Sequence, residues 1–221
     1  MKTFLAALKA VSNVDIALPE GKSAVPEAWQ LVLARALVAF VWGAVGVLVL
    51  WLLPGKGLVG VALATVAVVA VRWYLCRKQE RDGMSAVYAS LSKGISKDDM
   101  FSGLALQNVI LLIRPALIFL LLWHGSWLWL VVAGALSMAV SLSAVKQDEK
   151  NSGWIAAAVL SLVIGAFASK IALAFGNLFL LGIVACIVSW LLAKFLEGKE
   201  GMSAESGLFI GEAIVLVIGI C

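Results

Sequence analysis

Long apolar runs separated by short charged segments leave few folds open to this chain. Such runs begin near residues 29, 57, 104, 126, 153, 177 and 207. A hydrocarbon layer about 30 Å thick is crossed by roughly 20 apolar residues in a helix, and inside it every backbone polar group must be satisfied within the segment. Residues of the hydrophobic class make up 63% of the chain and charged residues 14%, against about half and a quarter in soluble domains. The expectation is an all-α, polytopic transmembrane helix bundle of about seven spans. Residues 26–221 would form the bundle and residues 1–25 an arm, within a single integral membrane domain.

Turn residues divide the runs. Pro26 and Glu27 suit the first turn of a helix, and the apolar run of residues 29–53 is stopped by Pro54 and Gly55. A second span is expected over residues 57–75, followed by the longest polar loop, residues 76–102. Spans three and four, 104–123 and 126–145, are separated only by His124 and Gly125 and should form a tight hairpin. Spans five and six are expected over 153–175 and 177–196. The last starts near residue 207 and has about fifteen residues, short of the usual length, which a tilt or an earlier start would accommodate. In the arm, Phe4, Leu8, Val11, Val14 and Leu18 recur at helical spacing among Lys2, Lys9 and Asp15. This predicts an amphipathic helix lying at the membrane interface. Lys9 interrupts what would otherwise read as a signal peptide, so the arm is expected to stay with the chain.

Lysine and arginine cluster in alternate connections: the arm, the stretch after span two, Lys146 with Lys150, and Lys194 with Lys199. The other connections carry only Lys56. The positive-inside rule then puts the N-terminus in the cytoplasm and the C-terminus outside a cytoplasmic (inner) membrane. The net charge of +4 is explained by these clusters and gives no separate reason to expect a nucleic-acid partner. Cys76, Cys186 and Cys221 have no paired spacing, so neither disulfide nor zinc is expected.

Few residues carry chemistry. Glu212 falls one turn into the last span and Arg114 near the middle of the third, beside Pro115. Ionised groups at such depth are costly and read as functional candidates. Arg114 could meet a phosphate or Glu212, and a buried ion pair that fixes packing is the plainer alternative. Arg35, Arg72 and Lys170 stand nearer span ends, where long basic side chains usually snorkel to the interface. Glu80, Asp82, Asp98 and Asp99, in the stretch 77–99, could hold magnesium through one or two carboxylates and substrate phosphates, although a solvated loop would look the same. His124 stands alone at a turn, and most of the nine Trp, among them Trp123, Trp127, Trp129 and Trp154, read as interfacial anchors. No His accompanies Ser85 or Ser203 on the basic face, and there is no P-loop or G-x-G-x-x-G, so triad hydrolysis and ordinary nucleotide hydrolysis are not expected.

The tetrapeptide Gly-Met-Ser-Ala occurs twice, at 83–86 and 201–204, each beside an apolar run on the basic face. Residues 81–89 read Arg-Asp-Gly-Met-Ser-Ala-Val-Tyr-Ala, residues 197–202 read Glu-Gly-Lys-Glu-Gly-Met, and Gly211-Glu212 lies in the last helix. In order and spacing this resembles the cobalamin synthase family of membrane enzymes, the adenosylcobinamide-GDP ribazoletransferases. That family has a D-G-x-A-D-x-x-D motif after its second span, a late G-G-x-T-G-D motif and a closing G-E. Residues 102–106, Ser-Gly-Leu-Ala-Leu, are similar to the start of its third span, and Arg114 falls near a basic position there. The resemblance covers nearly the whole chain. Ala86 and Ala89 stand where the family has Asp, Met202 replaces the Asp of the second motif, and the stretch before Ser102 is shorter.

The resemblance implies a transferase that joins adenosylcobinamide-GDP to α-ribazole or its 5'-phosphate, releases GMP and uses Mg2+. It implies Asp82 and Glu212 as catalytic acids, Asp82, Asp98, Asp99 and Glu212 as metal ligands, and Arg114 with Lys199 as phosphate contacts. Its partners would be the corrinoid nucleotide intermediate, α-ribazole and the lipid bilayer. Asp98, Asp99, Glu200 or Glu205, each close to a replaced acid, could substitute for it. The alternative, favoured by the Ala and Met replacements, is a catalytically degenerate paralogue acting as a binding or scaffold membrane protein. A small transporter is a third and weaker reading.

Overall fold

Each of the seven apolar runs forms a helix. The structure, a computed structural model, describes residues 2–16, 25–53, 55, 57–92, 100–145, 150–168, 175–197 and 204–221. Within them it describes no side chains for 79–92, 100–111, 150, 151, 168, 175–178, 204 and 205. Among the described residues there are eight helices and no strand: α1 (Lys2–Val11), α2 (Ala28–Leu52), α3 (Gly57–Ser92), α4 (Met100–Trp123), α5 (Trp129–Ala144), α6 (Lys150–Ala168), α7 (Phe175–Leu196) and α8 (Ala204–Ile220). Three described stretches are long and apolar enough to cross a membrane: Ala28–Leu52, Gly57–Lys78 and Phe179–Leu196, with mean hydropathy of 2.2, 2.0 and 2.3. Four shorter apolar stretches accompany them, Leu112–Trp123, Trp129–Ala144, Ser152–Phe167 and Ser206–Ile220.

The expected polar loop over 76–102 is instead helical through Ser92, so α3 continues well beyond its apolar part. Falling hydropathy marks where a span can end, but it does not break a helix. The sequence from Cys76 to Ser92 contains no proline, and its Arg, Lys, Gln, Glu and Ala are good helix formers. At α2 the backbone N–H of Glu27 donates to Gln30 Oε1 at 3.2 Å, satisfying a group that the first turn would leave open. The α4–α5 hairpin closes on Gly125 at φ +70°, with Ser126 N donating to Leu121 O at 2.8 Å and Gly125 N to Leu122 O at 3.2 Å. These two bonds satisfy carbonyls at the end of α4 and require a residue that tolerates a left-handed backbone.

The centre of the bundle is α5, which carries no charged residue and is buried at every position except Met138. It packs on α2, α6, α7 and α8. Close approach depends on small residues. A Cβ at Gly134 would lie 2.7 Å from Ala39 Cβ and 3.3 Å from the Arg35 carbonyl oxygen. One at Gly211 would lie 3.2 Å from Val140 Cβ and 3.3 Å from Ser137 Cα. Helix α2 and helix α8 are thereby both drawn close onto α5, as small residues permit.

The arm folds as α1 and packs on α2, with Ala7 and Val11 buried. Asn13 N donates to Leu75 O at 2.7 Å, and Gln30 Nε2 donates to Thr3 Oγ1 at 3.1 Å, tying the arm to α2 and α3. Val14 is exposed and Leu18 lies outside the described residues. Two tryptophans expected at the interface have inward roles. Trp129 is buried beside Gly219, and Trp154 Nε1 donates to Ser143 Oγ at 2.8 Å.

Candidate functional site

Four charged side chains meet inside the bundle, one from each of four helices. On α2 the buried positions Ala28, Val32, Arg35, Ala39, Trp42 and Gly46 recur every three or four residues. On α3 the sequence Val61, Ala64, Val68, Arg72 and Cys76 does the same. Arg114 shares a buried stripe with Ile118 and Leu121 on α4, and Glu212 shares one with Phe209, Val215 and Leu216 on α8. Three- and four-residue spacing keeps each charge on the face that its helix presents to its neighbours. Contacts of α3 and α4 with α8, and of α2 with α3, bring the four faces together.

Glu212 is 0% exposed, and Arg35, Arg72 and Arg114 are 1%, 4% and 6% exposed. Arg72 faces both carboxylate oxygens, with Nη1 2.8 Å from Oε1 and Nη2 donating to Oε2 at 2.9 Å. The Oε2 contact is a charge-assisted hydrogen bond, whereas Oε1 stands at ion-pair distance and accepts no hydrogen bond from the described residues. Arg35 Nη2 and Arg114 Nη2 lie 3.5 and 3.6 Å from the same Oε2. Arg35 Nη1 also donates to Cys76 Sγ at 3.0 Å, and Arg114 Nη2 donates to the Phe209 carbonyl at 3.2 Å. Two guanidinium planes are backed by aromatic rings: Arg72 Cζ is 4.7 Å from the Trp42 centroid and Arg114 Cζ is 3.8 Å from that of Phe209. At these distances the ring quadrupole attracts the cation and fixes its plane.

The structure thus brings together two residues singled out in the sequence, Arg114 and Glu212, and adds two for which interfacial snorkelling was expected. Arg35 and Arg72 point inward. Their stripe of small and branched apolar neighbours was a readable signal that these faces pack against protein. Asp82 lies on the polar extension of α3 and its side chain is not among those described, whereas Asp98, Asp99, Lys170 and Lys199 lie outside the described residues altogether.

A magnesium ion, implied by the resemblance, does not fit at Glu212. That ion takes carboxylate and phosphate oxygens, and here both carboxylate oxygens already face guanidinium groups that would repel a second cation. Among the described residues no three His, Cys, Asp or Glu side chains gather as metal ligands do. The cluster is built instead to hold negative charge between helices.

A concavity of about 240 Å³ lies by the α4–α5 turn, lined also by residues of α6 and α7. His124, Ser126, Trp129 and Ser161 contribute to a lining that is otherwise largely apolar. It holds no charged group, so the arginine–glutamate cluster is the stronger candidate. No protein-family model, curated protein or solved structure matches the chain.

Proposed function

We propose that the chain is a seven-span protein of the cytoplasmic membrane that handles a phosphate-bearing substrate inside its bundle, in the manner of cobalamin synthase. The observation that carries this reading is the convergence of Arg35, Arg72 and Arg114 on one buried acid, because phosphoryl-linked chemistry is mostly positioning and neutralisation of charge. The reaction would form a bond between the hydroxyl of α-ribazole, or its 5'-phosphate, and the cobinamide-linked phosphorus. The diphosphate link would break and GMP would leave. In this reading the arginines bind and orient the diphosphate, with Lys199 beside it. Any Mg2+ would be held by Asp82, Asp98 and Asp99 rather than Glu212.

Membrane placement follows the same reading. Helices α2 to α8 would be the spans, with α1 at the interface, the N-terminus inside and the C-terminus outside. Helix α5, sixteen residues and ~24 Å long at the usual rise, is shorter than a lipid-facing span needs. Protein encloses it, so it has no need to match the bilayer by itself.

One observation favours a second reading, a degenerate paralogue that binds without turnover. Glu212, one of the motif acids that remain, is occupied by three arginines, while Ala86, Ala89 and Met202 replace others. Complementation of a cobalamin synthase deletion strain separates the two. Growth that is lost in Asp82→Ala supports the transferase. Absence of growth despite confirmed membrane insertion supports the binding protein.

A further inference from the structure

We propose that Arg35, Arg72 and Arg114 form a receptor for a phosphate-type oxyanion, and that Glu212 is the resident anion which such a ligand displaces. The proposal rests on the reading of a membrane bundle that handles a phosphate-bearing ligand, but it needs no turnover.

The geometry of the carboxylate carries the argument. Glu212 accepts a hydrogen bond from Arg72 through Oε2 alone, which also lies 3.5 and 3.6 Å from Arg35 and Arg114, while Oε1, 2.8 Å from Arg72 Nη1, accepts none from the described residues. The separations from Arg35 and Arg114 exceed the 2.7–2.9 Å of a charge-assisted hydrogen bond. One carboxylate oxygen cannot present a lone pair at full strength to three donors arriving from three helices. A tetrahedral oxyanion spreads its oxygens in space, so that each guanidinium could take its own.

Preorganisation points the same way. Trp42 and Phe209 back the planes of Arg72 and Arg114, so little freedom remains to be lost when a ligand binds. Trp42 is itself 0% exposed, and its indole Nε1 has no hydrogen-bond acceptor among the described residues. Buried donors of this kind are rare and call for a partner. An oxyanion seated against Arg72 would bring acceptor oxygens to the same aromatic wall.

Depth and connectivity tie the cluster to the movement of α8. Arg35 lies ~10 Å from the start of α2 and Glu212 ~12 Å from the start of α8, by the rise of a helix. Both distances are measured from the basic side of the bundle. Glu212 belongs to α8, whose contacts with α3 and α4 include this ion cluster. Withdrawal of one carboxylate therefore opens the arginines and loosens that helix together.

The chemistry is shared by soluble phosphate compounds and by phospholipid headgroups, and the experiment distinguishes them. The full chain is placed in phosphatidylcholine nanodiscs, and thermal unfolding is followed with inorganic pyrophosphate against chloride at matched ionic strength. A parallel set contains phosphatidic acid. The expected result is a midpoint raised by several degrees in one arm, which names the source. Glu212→Gln should bind about tenfold more tightly, because the competing anion is gone, and Arg72→Gln about tenfold or more weakly. Lys194→Gln, an exposed control on α7, should bind as the parent does. If Arg72→Gln fails to fold, Arg114→Lys is read in its place and should also weaken binding.

No shift in either arm, for the parent and for Glu212→Gln, would overturn the proposal. So would a shift that the arginine substitutions leave unchanged. Pyrophosphate binding without complementation removes turnover and keeps the receptor, whereas complementation without binding removes the receptor alone.

Discussion

Glu212 is the residue on which four helices depend. Burying one carboxylate with three guanidinium groups carries a large desolvation cost that only their mutual attraction offsets, so removing one partner leaves charge stranded in a dry interior. Glu212→Gln should lower the stability of the purified protein in detergent by about 3 kcal/mol or more, read as a fall in thermal midpoint. Arg72→Lys should also destabilise it, since an ammonium cannot reproduce the contacts of a planar guanidinium with both carboxylate oxygens. A midpoint unchanged in both variants would show that the cluster bears no weight. The sequence made Glu212 and Arg114 conspicuous because each interrupts an apolar run. Arg35 and Arg72 were hidden by proximity to span ends, where the ordinary behaviour of arginine is to reach for water. Only the direction in which α2 and α3 face revealed them as partners of Glu212.

At the scale of elements, the decisive contacts are between helices brought close by glycine. Gly134→Ala places a methyl 2.7 Å from Ala39 Cβ, so α5 and α2 must separate and carry the Arg35 backbone with them. The expected cost is about 1–3 kcal/mol of stability. Gly182→Ala, whose new methyl would have nothing nearer than Ser161 O at 3.8 Å, should be tolerated. Equal midpoints for the two variants would count against the packing described. The start of α2 and the α4–α5 hairpin were legible from local chemistry: Pro26 with Glu27, and His124 with Gly125. The extension of α3 to Ser92 was not, because loss of hydropathy was read as loss of helix.

For the whole molecule, the number of membrane crossings is the open quantity that experiment can fix. Seven spans with the N-terminus inside require reporters at residues 55 and 125 and after residue 221 to lie outside, and reporters near 90 and 148 to lie inside. Alkaline phosphatase and fluorescent-protein fusions at these points would read the pattern, and a cytoplasmic C-terminus would contradict it. What the sequence by itself determined is the class of fold: a helical chain with stretches apolar enough for a bilayer, because burial in hydrocarbon admits few other solutions for such runs. It also marked two of the four charged residues, since an ion inside an apolar run stands out whatever surrounds it. Which arginines meet Glu212, and that the meeting occupies both carboxylate oxygens, was decided by tertiary structure alone. A run of apolar residues fixes that a helix is buried but says little about its rotation and neighbours, and the ion cluster exists only where four such rotations agree.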